Sequence, residues 1–480
     1  MALVAFAPGR VLVTSPTYSS PEQWHVEVLG SRLTSPQQFG GAGSRSTLLR
    51  HTVIGVAVGA LAREGRRWRS ACQVQAQSPR VAVIGAGPAG LATAIALRKE
   101  AGVEDVTVFE RAPKLQPNVG GGVQLHGSAA LLSQLGVPVE TVGNPLRGIR
   151  SFTAEGDKLL DLDLASLARG LGPLTSSLWL ESGELASCTI MRDALLELMV
   201  EALPANSIAF ERELASLQYK DDSIEVAFKG QEETPSFDLV IAADGIGTVA
   251  RQSVLNSDSP ESPRYTGLRI AYGVRPAGGR RAGAEQEATQ HFGEDLYALT
   301  ATYGGIGQEL YEMIAMVYRD DKEVAENVSW SPTDVQASCL KRLKDSGLTG
   351  EPTDVASGCE RFFELGVFEH PIGLEPWHRG RVVLVGDSAH AMPPFLGQGA
   401  NQAIQDAVCL AKSLRSISFS SGTASADQID EALGKYSNQR RLPVGFLAFE
   451  SNFLGQLETL PGAAGALVRN NAFKIFGDTG

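Results

Sequence analysis

Short apolar runs that end in glycine recur along the chain and predict buried strands of a parallel sheet. Segment 80–84 (R-V-A-V-I) runs into Gly85, and 106–109 (V-T-V-F) is a second β-branched run. Between them, 91–98 has the alanine- and leucine-rich pattern of a helix. Strands buried on both faces are continuous apolar runs rather than alternating ones. The order of strand, glycine turn, helix and strand therefore predicts a βαβ unit.

Two later segments repeat the strand-to-glycine pattern. Segment 238–243 (D-L-V-I-A-A) runs into Asp244-Gly245, and 380–385 (G-R-V-V-L-V) runs into Gly386-Asp387. A loop rich in proline and glycine follows the second of these. After it, a helix is predicted because apolar residues share one face, namely Ala403, Ala407, Leu410, Ala411 and Leu414.

Segments 268–274, 298–303 and 313–318 are rich in β-branched and aromatic residues and predict strands of a second sheet. Tyr272, Tyr303 and Phe292 belong to or adjoin this region. They are interpreted as sheet core rather than as residues that face a substrate, because aromatic side chains favour half-buried strands.

Composition limits the class of protein. The chain has 480 residues, 43% hydrophobic and 20% charged, which is ordinary globular composition with room for one to three domains. Its longest apolar run, 53–62, is too short for a membrane-spanning helix, so a multi-pass membrane protein is excluded. Contact of that run with a membrane is left open and is not indicated. Five scattered cysteines form no C-x-x-C pair, so no metal site is expected.

Charge is distributed unevenly along the chain. The net charge is −12, but residues 1–80 hold nine Arg and three Glu, a net +6 that leaves −18 for the remainder. An acidic body of this size argues against nucleic acid as a partner. Residues 1–77 are rich in arginine and serine and poor in acids, as chloroplast transit peptides are, with 74–76 (V-Q-A) as a processing site. We therefore predict a plastid location. The alternative is that residues 1–77 are a disordered tail without a targeting signal.

The turn at 85–90 (G-A-G-P-A-G) has the spacing of a dinucleotide-binding turn. Gly85 permits the tight turn, Gly87 lets the backbone approach a pyrophosphate, and Gly90 lets helix pack on strand. Free N–H groups at the helix start favour phosphate. Glu110, twenty residues after Gly90, can accept hydrogen bonds from a ribose hydroxyl. The acid favours FAD or NAD over NADP as the bound nucleotide.

With G-x-G-x-x-G at 85–90, D-G at 244–245 and G-D at 386–387, the chain resembles the class A flavoprotein monooxygenases. This is the family of para-hydroxybenzoate hydroxylase, salicylate hydroxylase and zeaxanthin epoxidase. The resemblance covers about residues 80–480 and includes 191–195 (M-R-D-A-L). Two positions depart from it: Thr248 replaces the usual Ser, and 369–371 (E-H-P) replaces the frequent Asp-Arg-x-Pro.

The resemblance implies an α/β fold, α+β overall. A Rossmann-like FAD-binding domain would carry an inserted antiparallel-sheet substrate domain and C-terminal helices. The expected boundaries are 1–77 for the transit peptide or disordered tail, 78–256 for the first part of the FAD-binding domain with a small insertion near 150–180, 257–364 for the substrate domain, and 365–480 for completion of the FAD-binding domain and the C-terminal helices.

The same resemblance implies how FAD is held. The glycines of 85–90 and Glu110 would hold its ADP half, Arg192 would reach the phosphate or ribityl part, and Asp387 would bind the ribityl chain. Asp244-Gly245 would line the cleft that FAD shares with the nicotinamide donor. Backbone N–H groups of the turn at 397–399 would stabilise the negative charge of reduced flavin. The implied cofactor-binding residues are Gly85, Gly87, Ala89, Gly90, Glu110, Arg111, Arg192, Asp244, Gly245, Gly386, Asp387, Pro394, Gly397, Gln398, Gly399, Ala400 and Asn401.

The implied activity is that of an FAD-dependent monooxygenase. NAD(P)H would reduce FAD, O2 would form a flavin C4a-hydroperoxide, and one oxygen atom would hydroxylate or epoxidise a small aromatic or isoprenoid substrate. No catalytic side chain is assigned, because His126 and His390 are interpreted as scaffold residues. Two alternatives stay open: a flavin-dependent reductase or dehydrogenase without oxygen insertion, and a non-catalytic FAD-fold protein that binds a lipid or protein partner. The intact residues 387 and 397–399 count against the second.

Overall fold

The apolar run Val81–Ile84 is completely buried, as a central strand requires. The computed structural model describes residues 5–7, 10–12, 78–115, 121–170, 178–180, 182–255, 262–277, 286–320, 332–373, 375–415, 417 and 425–477. Apart from two short paired strands at its start, the predicted transit peptide at 1–77 lies outside the described residues.

The strands of the described residues follow one another in this order: β1 Ala5–Ala7, β2 Arg10–Leu12, β3 Val81–Ile84, β4 Val106–Phe109, β5 Gly122–His126, β6 Asn144–Pro145, β7 Gly148–Thr153, β8 Lys158–Asp163, β9 Ser187–Met191, β10 Ile208–Ala209, β11 Leu214–Tyr219, β12 Ile224–Phe228, β13 Ser236–Phe237, β14 Leu239–Ala242, β15 Arg264–Pro276, β16 Glu287–Phe292, β17 Leu296–Gly304, β18 Leu310–Arg319, β19 Arg361–Glu369, β20 His378–Arg379 and β21 Val382–Leu384.

The α-helices are α1 Pro88–Glu100, α2 Ser128–Gln134, α3 Leu164–Gly170, α4 Arg192–Glu201, α5 Ala250–Leu255, α6 Pro332–Asp345, α7 Glu351–Gly358, α8 Asp387–His390, α9 Gly399–Leu414, α10 Ala426–Glu458 and α11 Gly462–Gly477. A short 3₁₀ turn, Pro394–Leu396, lies between α8 and α9.

The predicted βαβ unit is confirmed and belongs to a mostly parallel sheet. Within the described residues its strand order is β10-β4-β3-β14-β21-β20, and only β20 pairs antiparallel. Strands β3, β14 and β21 are completely buried, and α1 packs on α9 beside them. The three glycine-terminated apolar runs therefore became neighbouring strands.

The second sheet is largely antiparallel and contains the three strands predicted for it. Its main path runs β19-β15-β18-β17-β16-β7-β8. One face packs on α6 and α7 through residues such as Val335 and Val355. The other face packs on α10 and α11 through Leu454, Leu457 and Phe473.

The sheet draws strands from several parts of the chain. Besides β15 to β18 it includes β7 and β8, close to the predicted insertion, and β19, which extends to Glu369. The proposed domain boundaries at 256 and 364 remain predictions. In the described part of the chain, no helix is long and apolar enough to cross a membrane.

Candidate functional site

Four adjacent parallel strands bring the sequence motifs to one edge of a sheet. Strands β4, β3, β14 and β21 lie side by side in this order. Their C-terminal ends are followed by Glu110, Gly85, Asp244 and Gly386 respectively. Crevices outside the carboxyl ends of such strands are where α/β sheets bind ligands. The topology thus brings together residues that are more than 250 positions apart.

The three glycines of the first turn differ in what surrounds them. Gly85 has φ +101°, and a Cβ there would lie 2.6 Å from the carbonyl oxygen of Ala243. A Cβ on Gly90 would lie 1.9 Å from the carbonyl oxygen of Gly85. At Gly87 the nearest atom to such a Cβ is Nη2 of Arg192, 4.0 Å away. Gly85 and Gly90 are therefore required by packing, whereas Gly87 borders free space.

Glu110 is connected to the glycine turn by its side chain. Oε2 accepts a hydrogen bond from the backbone N–H of Ala86 at 2.9 Å, and Oε1 accepts one from Ala112 at 2.9 Å. Each carboxylate oxygen has a further lone pair. The half-buried carboxylate is thus held in position and can still accept hydroxyl hydrogen bonds.

Arg192 and Asp387 face the same region from different elements. Burial lowers the pKa of Arg192, and Glu110, Asp193 and Asp387 oppose that shift. Asp387 begins α8 with an exposed side chain, but the surrounding protein still desolvates it and raises its pKa. His390 and Arg192 act against this rise. The Arg192 cation and three carboxylates, those of Glu110, Asp193 and Asp387, therefore lie within electrostatic reach of one another.

The D-G motif is hydrogen-bonded to the residue that follows the G-D motif. The N–H of Gly245, which has φ +89°, donates to Oγ of Ser388 at 3.1 Å. Arg251 donates from Nη1 to the carbonyl oxygens of Ser388 and Ala389 at 3.2 and 2.7 Å. Oδ1 of Asp244 is buried and has no hydrogen-bond partner among the described residues. Burial raises the pKa of Asp244, and this rise is opposed first by hydrogen bonding from the Thr248 side chain and then by the charge of the exposed Arg111.

A buried ionic network behind Gly386 was not predicted from the sequence. Asp406 accepts hydrogen bonds at Oδ2 from the N–H of Gly386 at 2.9 Å and from Nε2 of His390 at 2.5 Å. Its Oδ1 accepts one from Nε of Arg440 at 2.7 Å. These contacts lower the pKa of Asp406 to about 2, although burial acts against them. The available sequence signal was an acid beside the apolar positions Ala403 and Ala407.

The loop after Pro393 presents backbone toward the crevice. Pro394 is exposed, and Gly397 has φ +61°, a left-handed conformation that favours glycine. Gln398 is buried and accepts a hydrogen bond at Oε1 from Nε2 of Gln402 at 3.2 Å. Gly399 and Ala400 begin α9, and no atom lies within 4 Å of a Cβ built on Gly399. Free N–H groups of a helix start therefore border open space.

Asn401 positions this loop. Its Nδ2 donates to the carbonyl oxygens of Gln124 and Gly397, both at 2.8 Å. Its Oδ1 accepts from the N–H of His126 at 2.8 Å and from Oγ of Ser128. Both amide protons are used, so its side chain holds β5 against the loop and has no donor left for a cofactor.

Gly386 and Ala89 are packing residues of the same site. A Cβ on Gly386, which has φ +59°, would lie 2.9 Å from the Cβ of Ala89 and 3.2 Å from that of Ala403. This close approach joins α1 to α9 behind the crevice. Gly386 and Ala89 therefore act by allowing the two backbones to lie close together.

An apolar surface lies beside the loop. Phe395 packs with Tyr272, Leu299 and Leu454 on one cluster of the second sheet. Tyr272 stacks on Phe363 with ring centroids 5.0 Å apart. Tyr272, Leu299, Phe363 and Phe395 are only partly buried. They form a surface on which a flat apolar molecule can lie.

The two histidines are buried. Nδ1 of His126 is 3.0 Å from Oγ of Ser187, and desolvation lowers the pKa of His126 to about 4, so it is neutral at physiological pH. His390 bonds to Asp406, as described. Among the described residues, no group of three or more His, Cys, Asp or Glu side chains could hold a metal ion.

A parallel sheet with a dinucleotide turn, joined at its carboxyl edge to an antiparallel sheet, defines a flavoprotein fold. Residues 79–275 and 361–445 match the family described as the FAD binding domain. The 3-amino-4-hydroxybenzoate 2-monooxygenase of Streptomyces cremeus is 30% identical over 359 residues, covering 69% of this chain and 77% of that protein. The 6-hydroxynicotinate 3-monooxygenase of Pseudomonas fluorescens is 26% identical over 351 residues, covering 71% and 84%.

A solved structure has the same fold. HpxO of Klebsiella pneumoniae, complexed with FAD and uric acid, superposes with a TM-score of 0.67 at 20% identity, covering 82% of this chain and 93% of that one. The chain belongs to the FAD binding domain family. It is an FAD-dependent monooxygenase of class A, as its three motifs predicted.

Proposed function

We propose that this monooxygenase uses NAD(P)H and O2 to hydroxylate a small aromatic molecule. The observation that carries the proposal is the convergence of all three motif turns on one crevice that adjoins the apolar surface around Phe395 and Tyr272. The two relatives named above act on hydroxynicotinate and aminohydroxybenzoate, which are aromatic rings bearing a hydroxyl group. This supports an aromatic ring over an isoprenoid as the substrate.

The crevice residues fit FAD. At Gly87, Gly245 and Gly399 a side chain's Cβ would have no protein atom closer than 4 Å, so these positions border open space. The buried Oδ1 of Asp244 accepts no hydrogen bond from the described residues and could accept one from the cofactor. We assign the N–H groups at the start of α1 to the pyrophosphate and the carboxylate of Glu110 to the ribose. Arg192 would neutralise phosphate charge. The exposed carboxylate of Asp387 would accept hydrogen bonds from the ribityl hydroxyls.

Bound FAD supplies the electron transfer and the oxygen activation. The chain's own residues hold the flavin and the substrate in position and shield them from water. N–H groups at 399–400, at the positive end of α9, stabilise negative charge beside them. The ring of Phe395, which follows Pro394, lies against α10 at Gly455, and the surface it forms with Tyr272 and Leu299 would exclude water from an apolar ring bound there.

The proposal is tested with the purified holoprotein. We expect a yellow protein that NADH or NADPH reduces under anaerobic conditions. Its aerobic NAD(P)H oxidation should be slow alone and faster with a substrate. A panel of hydroxybenzoates and hydroxynicotinate, followed by oxygen uptake and by product mass, would identify hydroxylation. If neither NADH nor NADPH reduces the bound flavin, the proposal that the reaction depends on NAD(P)H is wrong. Oxygen uptake stimulated only by isoprenoids would favour epoxidation instead.

For location, we propose import into a plastid. The support is the arginine- and serine-rich composition of residues 1–77. A fluorescent protein fused after residue 77 should enter plastids, and the same fusion lacking 1–77 should not. Accumulation of the first fusion in the cytosol would contradict the proposal.

A further inference from the structure

The apolar surface beside the crevice is built on one row of residues that crosses four strands of the second sheet. Residues directly opposite each other on neighbouring strands point to the same side of the sheet. By this register one row crosses β19, β15, β18 and β17, and its members are Phe363, Tyr272, Ala315 and Leu299. Ala315 has only a methyl side chain, so the row is lowest between Tyr272 and Leu299. We call these four residues the central row.

The groups around the central row are apolar. In the next row toward one end of the strands lies Met313, whose Sδ would be 2.8 Å from a Cβ on Gly121. In the next row toward the other end, Ile270 and Val317 lie opposite each other. Phe395 packs on the same cluster of side chains as three members of the central row. A ring that lies on the central row would therefore contact apolar groups and lose the water around it.

The arginines in the middle of β15 lie on the opposite side of the sheet. Side chains alternate along a strand, so Arg269 and Arg275 face away from the side of Tyr272. Each guanidinium is paired with two carboxylates. The partners are Asp320 and Glu364 for Arg269, at 3.0 Å each, and Glu312 and Asp354 for Arg275, at 2.6 and 2.9 Å. Neither cation faces a ligand on the central row.

One cation shares the side of the central row. On the described strands β15 to β19, Arg361 is the charged residue within the central row and the rows on either side of it. It lies on the edge strand opposite Val274, near the hydroxyl of Tyr311. The pKa of Tyr311 is raised, chiefly by its hydrogen bond to Glu309 and also by Asp193, and Arg361 opposes this rise. Arg361 therefore has carboxylates of the protein within its electrostatic reach.

The charge of the protein also disfavours an anion on the central row. Outside residues 1–80 the chain carries a net charge of −18. Gln290 continues the row onto β16 and donates a hydrogen bond to the completely buried Glu458. A carboxylate buried without a cation loses its hydration with no compensation.

These observations deepen the proposed hydroxylation, on which the next step rests. We propose that the substrate is an uncharged, electron-rich aromatic ring such as a phenol without a carboxylate. The two relatives named above act on hydroxynicotinate and aminohydroxybenzoate, which are carboxylates. The chain would therefore differ from them in the charge of the molecule that it accepts.

The test is the binding of matched ring pairs to the holoprotein. Each hydroxybenzamide isomer has nearly the size of the corresponding hydroxybenzoate and lacks its charge, as 6-hydroxynicotinamide does beside 6-hydroxynicotinate. Titration at about pH 7, followed by the absorbance of the bound flavin, gives dissociation constants in the absence of NAD(P)H. We expect the amide of the best-bound pair to bind at least about 100-fold more tightly than its acid. Tighter binding of the acids, or no binding of any amide, would overturn the proposal.

Two variants place the same new charge inside and outside the site. Phe363→Arg puts a cation in the central row and should shift the preference toward the acids at least about 10-fold. Ile306→Arg is the matched control, because Ile306 is 49% exposed and lies outside the three rows, so the preference should not change. Flavin content shows that each variant is folded. An unchanged preference in folded Phe363→Arg would mean that the ring does not lie on the central row.

Two further outcomes separate the alternatives. If the wild type prefers the acids and Arg361→Gln removes that preference, Arg361 binds a substrate carboxylate and the proposal is wrong. If neither NADH nor NADPH reduces the flavin while the amides still bind more tightly, the proposed NAD(P)H-dependent reaction is wrong, whereas the preference for an uncharged ring stands.

Discussion

The carboxylate of Asp406 accepts a hydrogen bond from the backbone N–H of Gly386 at 2.9 Å, across 20 residues of chain. Gly386 directly precedes Asp387. The completely buried carboxylate of Asp406 on α9 therefore fixes the position of the backbone from which the exposed Asp387 side chain projects. Arg440 on α10 compensates that charge at 2.7 Å. Three elements thus meet behind the candidate ribityl site.

Asp406→Asn should destabilise the protein strongly. The change leaves Arg440 buried beside a neutral group, and breaking a buried ion pair costs about 3–5 kcal/mol. Urea unfolding of the holoprotein measures the loss. Asp345→Asn removes the exposed pair with Lys341 and should cost less than about 0.5 kcal/mol. Equal effects of the two substitutions would contradict the role of the network.

Stability should fall with pH because of Glu458. Its carboxyl is completely buried between Gln290 and Tyr297, and burial raises its pKa to about 8. The folded state therefore keeps a proton that the unfolded chain releases above about pH 4.5, so stability decreases between about pH 4.5 and 8. Glu458→Gln should be more stable than wild type at pH 8, with the difference shrinking toward pH 5.

The exposed Glu431→Gln of the same helix is the control for this pH dependence. It should leave the slope of stability against pH unchanged. Thermal unfolding at intervals of one pH unit measures both variants. A parallel pH profile for wild type and Glu458→Gln would show that Glu458 is ionised in the folded protein.

Asp387→Ala should weaken FAD binding without unfolding the protein. The side chain is exposed in the crevice, so its removal leaves no cavity. Hydrogen bonds to a charged group contribute about 1.5–3 kcal/mol, which corresponds to a rise of roughly 10- to 100-fold in the dissociation constant. Fluorescence titration of the apoprotein with FAD measures this. Asp427→Ala, at the exposed start of α10, should bind FAD like wild type.

Gly87→Ala and Gly90→Ala should fail in different ways. At Gly90 the new Cβ would meet a backbone oxygen at 1.9 Å, so the protein should lose its fold or become insoluble. At Gly87 the nearest protein atom is 4.0 Å away, so the fold should survive while FAD affinity drops. Circular dichroism and flavin content distinguish the outcomes. Full flavin content in Gly87→Ala would mean that the cofactor does not approach this turn.

The parallel sheet was predictable because its strands are continuous apolar runs that end in glycine. Val81–Ile84, Leu239–Ala242 and Val382–Leu384 are completely buried in the structure, so the pattern had a single interpretation. The roles of two glycines were also predictable. Gly85 adopts a positive φ, and at Gly90 the carbonyl oxygen of Gly85 lies too close to leave room for a side chain.

The supporting contacts were not predictable from one sequence. Asn401 reaches the carbonyl of Gln124 across 277 residues, and Asp406 reaches Arg440 across 34. No local pattern marks either pair, because each forms only after helices and strands have packed. The hydrophobic pattern also does not reveal which apolar positions of α10 stay exposed, since that depends on which side meets the sheet.

Gly455 lets the ring of Phe395 lie against the backbone of α10; a Cβ there would be 2.1 Å from the ring. The loop nearest the proposed flavin ring is therefore shaped by a residue some sixty positions further along the chain. Chimaeras that exchange C-terminal segments between related hydroxylases would carry a changed loop conformation with them, even where every motif residue is retained.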